Sequence, residues 1–254
     1  MKKVLLTVAG FDPSSGAGAT LDLKVFNHFG FYGLAVLTSI TVQNSSKVYS
    51  FKALAPELIL EQYRKLKSDF KLSGIKIGML GRSKAISAIE EIVSENRKLP
   101  IVLDPVLRST SGKWLIEKKD IPELIKAMSG KIALITPNLD EASLILGEKI
   151  KTVENMKQAA RRISQLTRSA CLLKGGHLKN KAVDVFFDRR DFHLFEKNKL
   201  RSEVHGTGCF LSSAILCFLA QGLSLTEACQ KASETISQFI HSPLLLSRRP
   251  LFDI

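Results

Sequence analysis

The chain has 254 residues, 45% of them hydrophobic, which suits a single large α/β domain. Its net charge of +13 permits binding to nucleic acid or to anionic small molecules. The Lys and Arg residues are scattered, however, and no run is long enough for a nucleic-acid-binding tail. No apolar run approaches the length of roughly 18 residues that a membrane-spanning helix needs, so we expect no contact with a membrane.

Cysteine usage indicates a reducing environment. The chain has four cysteines and no Cys-x-x-Cys pair. Three of them lie in apolar segments of a long chain, which is typical of reduced, buried thiols. We therefore expect a cytoplasmic protein whose cysteines are free; they are Cys171, Cys209, Cys217 and Cys229.

The first half of the chain alternates between predicted strands and helices. Val4 to Ala9 is a continuous apolar run that predicts a buried strand, and a glycine-rich loop follows at 10–18. A helix with Leu21 and Val25 on one face then runs to Gly30. Further strands are predicted at 34–42, 48–54, 75–80 and 101–104, and further helices from Pro56 to about 70 and from a Ser83 cap to about 96.

The second half continues the same alternation. Helices are predicted at 121–128, at 139–146 with Gly147 as the stop, and from a Thr152 cap to about 166. Strands are predicted at 132–135 and 171–174, and a β-hairpin at 183–195. A capping box from Ser224 to Glu227 starts the last helix, which ends near 241, and the tail is predicted to be irregular.

This alternation predicts an α/β fold with a mainly parallel sheet covered by helices on both faces, in one domain over residues 1–254. In such sheets, ligands bind at the carboxyl ends of the strands. Polar residues follow apolar strands at six places in this chain: Asp12, Gln43, Asp104, Asn138, Glu141 and Lys174.

The segment 205–209, His-Gly-Thr-Gly-Cys, precedes an unbroken apolar run at 210–220. This pattern predicts a glycine loop that opens into a buried helix, with Gly206, Thr207 and Gly208 offering backbone amides to an anion. Cys209 falls in the first helical turn, where the pKa of a thiol tends to fall. The alternative interpretation is a tight turn before a core helix that carries a buried cysteine.

Other polar residues also allow two interpretations. Asn138 and Glu141 are three residues apart at a helix start, which suits either a hydrated Mg²⁺ or simple stabilisation of the first turn. Asp104 is a candidate metal ligand or a turn residue, and Lys174 a phosphate contact or a solvated strand end. His177 and His205 are expected to be hydrogen-bonded loop residues, because no metal-ligand spacing includes them.

Together, several motifs in this order resemble the hydroxymethylpyrimidine/phosphomethylpyrimidine kinases of thiamine biosynthesis. The resemblance extends from about residue 4 to about residue 240 and implies the α/β/α sandwich of the ribokinase-like superfamily. The motifs are Ala9-Gly10-Phe11-Asp12-Pro13-Ser14-Ser15-Gly16-Ala17-Gly18, Asp22-Leu23-Lys24, Gln43-Asn44, Lys76-Ile77-Gly78-Met79-Leu80, Asp104-Pro105-Val106, Thr136-Pro137-Asn138-Leu139-Asp140-Glu141-Ala142, Lys174-Gly175-Gly176-His177 and His205-Gly206-Thr207-Gly208-Cys209.

The resemblance implies an enzyme that uses ATP as co-substrate and Mg²⁺ to phosphorylate 4-amino-5-hydroxymethyl-2-methylpyrimidine and then its monophosphate. It also implies a homodimer, and a small-molecule pyrimidine alcohol rather than nucleic acid as partner. Residue by residue, it implies that Gln43 binds the aminopyrimidine edge in a pocket lined by Asp22, Gly10 and Met79. Glu141 and Asp104 would hold Mg²⁺, and Lys174 and Asn138 would lie on the ATP side. Gly206, Thr207 and Gly208 would form the anion hole, with Cys209 as catalytic base.

Several positions depart from the usual family pattern, among them Phe11, Arg108 and Phe210. They leave open a pyridoxal or pyridoxine kinase of the same superfamily, because Gln43 suits either ring. A non-catalytic basic module that binds nucleic acid or another ligand is the alternative from a different class, and its support is the net charge of +13.

Overall fold

The structure, a computed structural model, describes residues 2–109, 111–175, 182–197, 204–241, 244, 247 and 250–254. These residues form one nine-stranded sheet with eight α-helices around it. The strands are β1 (Val4–Phe11), β2 (Tyr32–Gln43), β3 (Val48–Ala53), β4 (Leu72–Ile77), β5 (Ile101–Leu103), β6 (Leu134–Ile135), β7 (Ala170–Leu173), β8 (Ala182–Phe187) and β9 (Phe192–Lys197). The helices are α1 (Gly18–His28), α2 (Pro56–Asp69), α3 (Ala85–Glu95), α4 (Ile121–Met128), α5 (Leu139–Leu146), α6 (Val153–Thr167), α7 (Thr207–Gln221) and α8 (Leu225–His241).

The sheet order is β3-β2-β1-β4-β5-β6-β7-β8-β9. The six central strands are parallel; in sheet order they are β2, β1, β4, β5, β6 and β7. Antiparallel strands extend both edges, β3 at one and β8 and β9 at the other. Helices α1, α7 and α8 pack on one face, and α2 to α6 pack on the other, each over its own apolar core. The predicted α/β architecture is therefore confirmed, and the carboxyl ends of β1 and β4 to β7 lie along one edge.

Local signals in the sequence account for most helix ends. Gly147 ends α5 with φ at +73°, and the Thr152 hydroxyl caps α6 by accepting from the amide of Asn155. Ser224 and Glu227 form the predicted capping box, because each side chain accepts from the other's backbone amide. These contacts show that the turns between elements are encoded locally.

Some predicted boundaries were wrong. The β4 strand is Leu72–Ile77 rather than 75–80, since the last hydrogen bond to β1 runs from the Gly78 amide to the Val8 carbonyl, and Met79 and Leu80 are buried beyond the strand. Ser83 does not cap α3: the helix begins at Ala85 after a backbone turn in which the Ser83 carbonyl accepts from the amide of Ile86. Strand β6 is also shorter than predicted, at Leu134–Ile135, and β7 begins and ends one residue early, at Ala170–Leu173.

The predicted free thiols are confirmed. All four cysteines are free, and three of them are buried. Among the described residues, no helix has both the length and the apolar composition needed to cross a membrane.

Candidate active site

The glycine loop lies where the sequence predicts it, at the N-terminus of α7. Gly206 is in the left-handed region with φ at +86°, and its carbonyl accepts the first helical hydrogen bond, from Phe210, at 2.9 Å. The amides of Thr207, Gly208 and Cys209 precede that bond and therefore have no acceptor within the helix. Together with the helix dipole, they make this end of α7 favourable for an anion.

A lysine and a carboxylate from neighbouring strands lie directly beside this loop. Lys174, after β7, donates from Nζ to Oδ1 of Asp104, after β5, at 2.8 Å. Thr136, after β6, donates to the same oxygen at 3.2 Å. A Cβ on Gly208 would lie 3.1 Å from the Lys174 nitrogen and 3.6 Å from Oδ2 of Asp104. The structure thus brings the predicted anion loop, Lys174 and Asp104 into contact at the sheet edge.

Electrostatics keep this pair charged despite its burial. Burial raises the pKa of Asp104, but the charges of Lys174 and Lys76 and the hydrogen bonds from Lys174 and Thr136 together outweigh burial, so the pKa is below its usual value. Burial lowers the pKa of Lys174, but Asp104 and Glu141 outweigh that effect and raise it. The ammonium of Lys174 therefore remains a fixed positive charge beside the amides of α7.

Asn138 and Glu141 form a capping box at the start of α5. The Asn138 side chain accepts from the Glu141 amide, and the Glu141 carboxylate accepts from the Asn138 amide, both at 2.8 Å. Of the two interpretations left open by the sequence, stabilisation of the helix start is therefore observed. The Asn138 side-chain oxygen is turned to the helix, so its hypothetical role as a direct metal ligand is not supported.

The surroundings of Glu141 nevertheless suit a divalent cation. Burial, and then the nearby charge of Asp104, raise its pKa to about 8, although Lys174 lowers it. Two carboxylates here share one ammonium, and a hard cation would relieve their repulsion. The described residues contain no cluster of three or more His, Cys, Asp or Glu side chains that suits a metal. Mg²⁺ needs only one or two carboxylates beside water and phosphate oxygens, so Glu141 and Asp104 fit it.

Gly10 packs against Ser39 and against Met79, which is predicted to line the substrate pocket. A Cβ on Gly10 would lie 2.7 Å from Oγ of Ser39 and 3.0 Å from Sδ of Met79. The half-buried side chain of Gln43, at the end of β2, lies near the carboxylate of Asp12 and helps to lower its pKa. The structure thus places Gly10, Met79 and Gln43 on the β1–β2 side of the edge.

Asp22, which is predicted to line the substrate pocket, lies beneath the surface in a network of hydrogen bonds. Its side chain is fully buried, and its two oxygens accept from Lys76 at 3.0 and 2.9 Å. Thr7 on β1 and Ser213 on α7 also donate to it, at 2.6 and 2.8 Å. These donors occupy both carboxylate oxygens. Through these hydrogen bonds, Asp22 links α1 to β1, β4 and α7 beneath the candidate site.

Lys76 is a charged residue whose role the sequence analysis missed. It is fully buried, and Gly78 makes room for it, because a Cβ at that position would lie 2.9 Å from Nζ of Lys76. Burial lowers its pKa, but Asp22 outweighs burial and the pKa is raised. A lysine inside an apolar strand was the available signal, yet its partner is 54 positions away in the sequence.

The comparisons with known proteins agree with this geometry. The family model of phosphomethylpyrimidine kinase matches residues 12–249. The chain belongs to the phosphomethylpyrimidine kinase family. A hydroxymethylpyrimidine/phosphomethylpyrimidine kinase from Aquifex aeolicus is 39% identical over 248 residues, which cover 96% of this chain and 97% of that protein.

Solved structures place this family member in the ribokinase-like fold. The phosphomethylpyrimidine kinase of Clostridium difficile 630 has a TM-score of 0.80 at 36% identity, over 93% of this chain and 99% of its own. The pyridoxal kinase of Staphylococcus aureus, solved with AMP-PCP, has a TM-score of 0.90 at 29% identity, over 100% of this chain and 93% of its own. The predicted ribokinase-like α/β/α sandwich and the predicted family are therefore both confirmed.

The candidate catalytic thiol of this kinase is less acidic than predicted. Cys209 lies in the first turn of α7, near the Gly18 amide, which acts to lower the pKa of the thiol. Burial raises the pKa of Cys209 to about 11, and the nearby Lys76 only partly opposes this. The expectation that the helix terminus lowers the pKa was wrong, because desolvation of the thiolate exceeds the stabilising effects.

This pKa predicts slow alkylation of Cys209. With a pKa of about 11, roughly one thiol in a thousand is ionised at pH 8. Iodoacetamide should therefore modify it about 100-fold more slowly than an unhindered thiol. The rate, followed by mass spectrometry, should rise about tenfold per pH unit between pH 7 and 9.5. A Cys209→Ser variant gives the background from the other cysteines, and a plateau near neutral pH would contradict the raised pKa.

Two family departures have local explanations, and one predicted residue cannot be placed. Phe210 is buried, with its ring centroid 4.6 Å from that of Phe252, so it fills the core behind the loop. Arg108 lies over the Trp114 ring at 5.5 Å and donates to the Gly112 carbonyl. His205 is a hydrogen-bonded loop residue, as predicted, whereas His177 lies outside the described residues.

Proposed function

We infer that this protein is an ATP-dependent hydroxymethylpyrimidine/phosphomethylpyrimidine kinase of thiamine biosynthesis. The observation that carries this conclusion is the match to the family over residues 12–249, with a glycine loop, the half-buried ammonium of Lys174 and two carboxylates at one sheet edge. The first reaction transfers the γ-phosphoryl group of ATP to the hydroxymethyl oxygen of the pyrimidine. The second transfers another phosphoryl group to the monophosphate and gives the diphosphate.

Phosphoryl transfer depends on positioning and on stabilisation of charge on the transferred group. The amides of Gly206, Thr207 and Gly208 are proposed to bind its oxygens, and the fixed charge of Lys174 to neutralise the ATP phosphates. A pre-oriented donor of this kind contributes about 3–4 kcal/mol to transition-state stability. Asn138 lies on the same side as Lys174, since the two form a parallel bridge, and this supports its place near ATP.

Glu141 and Asp104 are the proposed magnesium ligands, directly or through water. When bound, Mg²⁺ would offset negative charge on the phosphates. Lys174 holds Asp104 in place through the 2.8 Å hydrogen bond. The capping box holds the Glu141 carboxylate against the start of α5.

The pyrimidine is proposed to bind on the β1–β2 side. Gln43 offers an amide that can both donate to and accept from the aminopyrimidine edge. Gly10 lets the ring approach the backbone closely, and Met79 provides an apolar wall. Asp22 supports this pocket from beneath and is not proposed to touch the ring, because its oxygens are already bonded.

Cys209 is proposed to accept the proton of the acceptor hydroxyl. The neutral thiol predominates at pH 7, so the reacting form is the minor thiolate, which the charge of Lys76 favours. Replacing Cys209 with alanine should lower kcat by about 100-fold or more, the low end of the range for a general base. Steady-state kinetics of the purified variant test this. A kcat equal to that of the wild type would remove the base role.

Pyridoxal kinase is the second candidate, and one observation favours it. The Staphylococcus aureus pyridoxal kinase has the higher TM-score, 0.90, although its identity to this chain is only 29%. Release of ADP with hydroxymethylpyrimidine, its monophosphate and pyridoxal, each tested alone with Mg²⁺ and ATP, separates the two. Turnover of both pyrimidines is expected, and turnover of pyridoxal alone would contradict the leading assignment.

Three further predictions are part of this proposal. A homodimer is expected, and light scattering during size-exclusion chromatography tests it. A cytoplasmic setting is supported by the four free thiols. The proposed partners are small molecules and not nucleic acid, so filter binding at about 0.15 M salt should detect only weak retention of DNA or RNA.

A further inference from the structure

Two loops meet at the N-terminus of α7. Gly206 packs so closely on the β1–α1 loop that a Cβ there would overlap the carbonyl oxygen of Gly16. The same residue, Gly16, leaves room for the ring of His205, with which a Cβ would also overlap. The Gly18 amide lies near Cys209 and acts to lower the pKa of its thiol. The position of the phosphate-binding amides therefore depends on how the two loops are held together.

Asp12 is the side chain that joins them. It is 2% exposed, and its Oδ2 lies 3.2 Å from Nε2 of His205, the residue directly before Gly206. Its Oδ1 accepts from the amide and hydroxyl of Ser14 at 2.8 and 2.7 Å. The nearby side chain of Gln43 also helps to lower the pKa of this carboxylate. One buried carboxylate thus adjoins both the proposed pyrimidine-binding side chain and the phosphate-binding loop.

The protonation state of this pair follows from its partners. Burial raises the pKa of Asp12, but hydrogen bonds from His205, Ser14 and Gln43 outweigh burial and lower it. An ionised carboxylate can only accept, so Nε2 of His205 carries the hydrogen between them. The His205 amide also donates to the Pro250 carbonyl at 3.0 Å. Side chain and backbone of His205 are therefore both held, which fixes the start of the glycine loop.

We propose that His205 is a positioning residue for phosphoryl transfer, and that its hydrogen bond to Asp12 aligns the amides at 206–208 with the alcohol bound near Gln43. The proposal rests on the kinase function inferred above. His205 acts through Asp12 and Gly206, and it exchanges no proton with the substrate. Its contribution is geometric, and a misplacement of about 1 Å at a catalytic group can lower the rate about 100-fold.

Two substitutions of His205, by side chains of different length, test this role. Glutamine places its amide nitrogen near the position of Nε2, so His205→Gln keeps a donor toward Asp12. Asparagine is shorter and cannot reach it. His205→Asn should lower kcat by about 10- to 100-fold, with the KM values for ATP and the pyrimidine within about threefold of wild type. His205→Gln should recover most of that loss.

The β8–β9 hairpin supplies a matched control. There, Nε2 of His193 lies 3.3 Å from Oδ2 of Asp188, in a pair like that of His205 but on elements that carry no proposed site residue. His193→Asn should leave kcat unchanged. Equal losses of kcat in His205→Asn and His205→Gln would overturn the proposal, and so would a kcat of wild-type size in His205→Asn.

Hydrogen exchange of the amides at 206–209 gives a readout that needs no substrate. His205→Asn should speed their exchange about tenfold, whereas His205→Gln and His193→Asn should not. Unchanged exchange in His205→Asn would overturn the positioning role even if the wild type turned over no pyrimidine. If the wild type turned over no pyrimidine but the exchange pattern were as expected, the proposed function would be contradicted. The role of the hydrogen bond between Asp12 and His205 in holding the loop would still be supported.

Discussion

Replacing Gly206 with alanine is expected to lower kcat by at least about 100-fold and to destabilise the fold by about 3 kcal/mol or more. Gly206 has φ at +86°, where a Cβ is strained. That Cβ would also overlap the Gly16 carbonyl and lie 2.6 Å from Cδ2 of Leu21. To relieve this overlap, the glycine loop at 206–208 must move away from the β1–α1 loop. That movement displaces the amides proposed to bind the phosphoryl group. Chemical unfolding and steady-state kinetics measure the two effects.

The same helix contains the control. Gly222 ends α7 with φ at +105°, and no atom lies within 4 Å of the position of its Cβ. Gly222→Ala should therefore cost only the backbone strain, about 1 kcal/mol, and leave kcat unchanged. The difference between the two variants isolates the contact with Gly16. Equal losses of stability and activity would mean that the close approach of the two loops does not matter.

The fold was predictable because its signals are local. Strands such as Val4–Phe11 are continuous apolar runs, and helix ends are marked by Gly147, Thr152 and the capping box at 224–227. Errors arose where apolar sequence continues beyond the hydrogen-bonded strand. Met79 and Leu80 are buried like strand residues, yet they lie beyond the end of β4.

The site was predictable as a set of strand ends, but the partners of its residues were not. The sequence gives no indication that Lys76 pairs with Asp22 or that Asp12 pairs with His205, because these contacts join residues 54 and 193 positions apart. Burial, which raises the pKa of Cys209, is also a property of the assembled fold. Charge and polarity therefore located the site, and packing decides which side chains are free to touch a ligand.

Replacing Lys76 with methionine is expected to cost about 3–5 kcal/mol in the free energy of unfolding. Both members of the Lys76–Asp22 pair are 0% exposed, so the variant leaves a buried carboxylate without its counter-charge. Urea denaturation measures the loss. Lys67→Met is the matched control: Lys67 and Glu95 are 43% and 38% exposed, and removal of this surface pair should cost at most about 1 kcal/mol.

A second substitution separates charge from packing in this pair. In Lys76→Met combined with Asp22→Asn, no buried charge is left unpaired. The amide oxygen can accept from one of the two hydroxyls, Thr7 or Ser213, and the NH2 group can donate to the other. The double variant should recover at least about half of the lost stability, since burial of an unpaired ion is the main penalty. Loss of Lys76 raises the pKa of Cys209 and loss of Asp22 lowers it, so the kcat of the double variant should lie between those of Lys76→Met and the wild type. No recovery of stability would place the cost in packing and contradict the explanation by an unpaired buried charge.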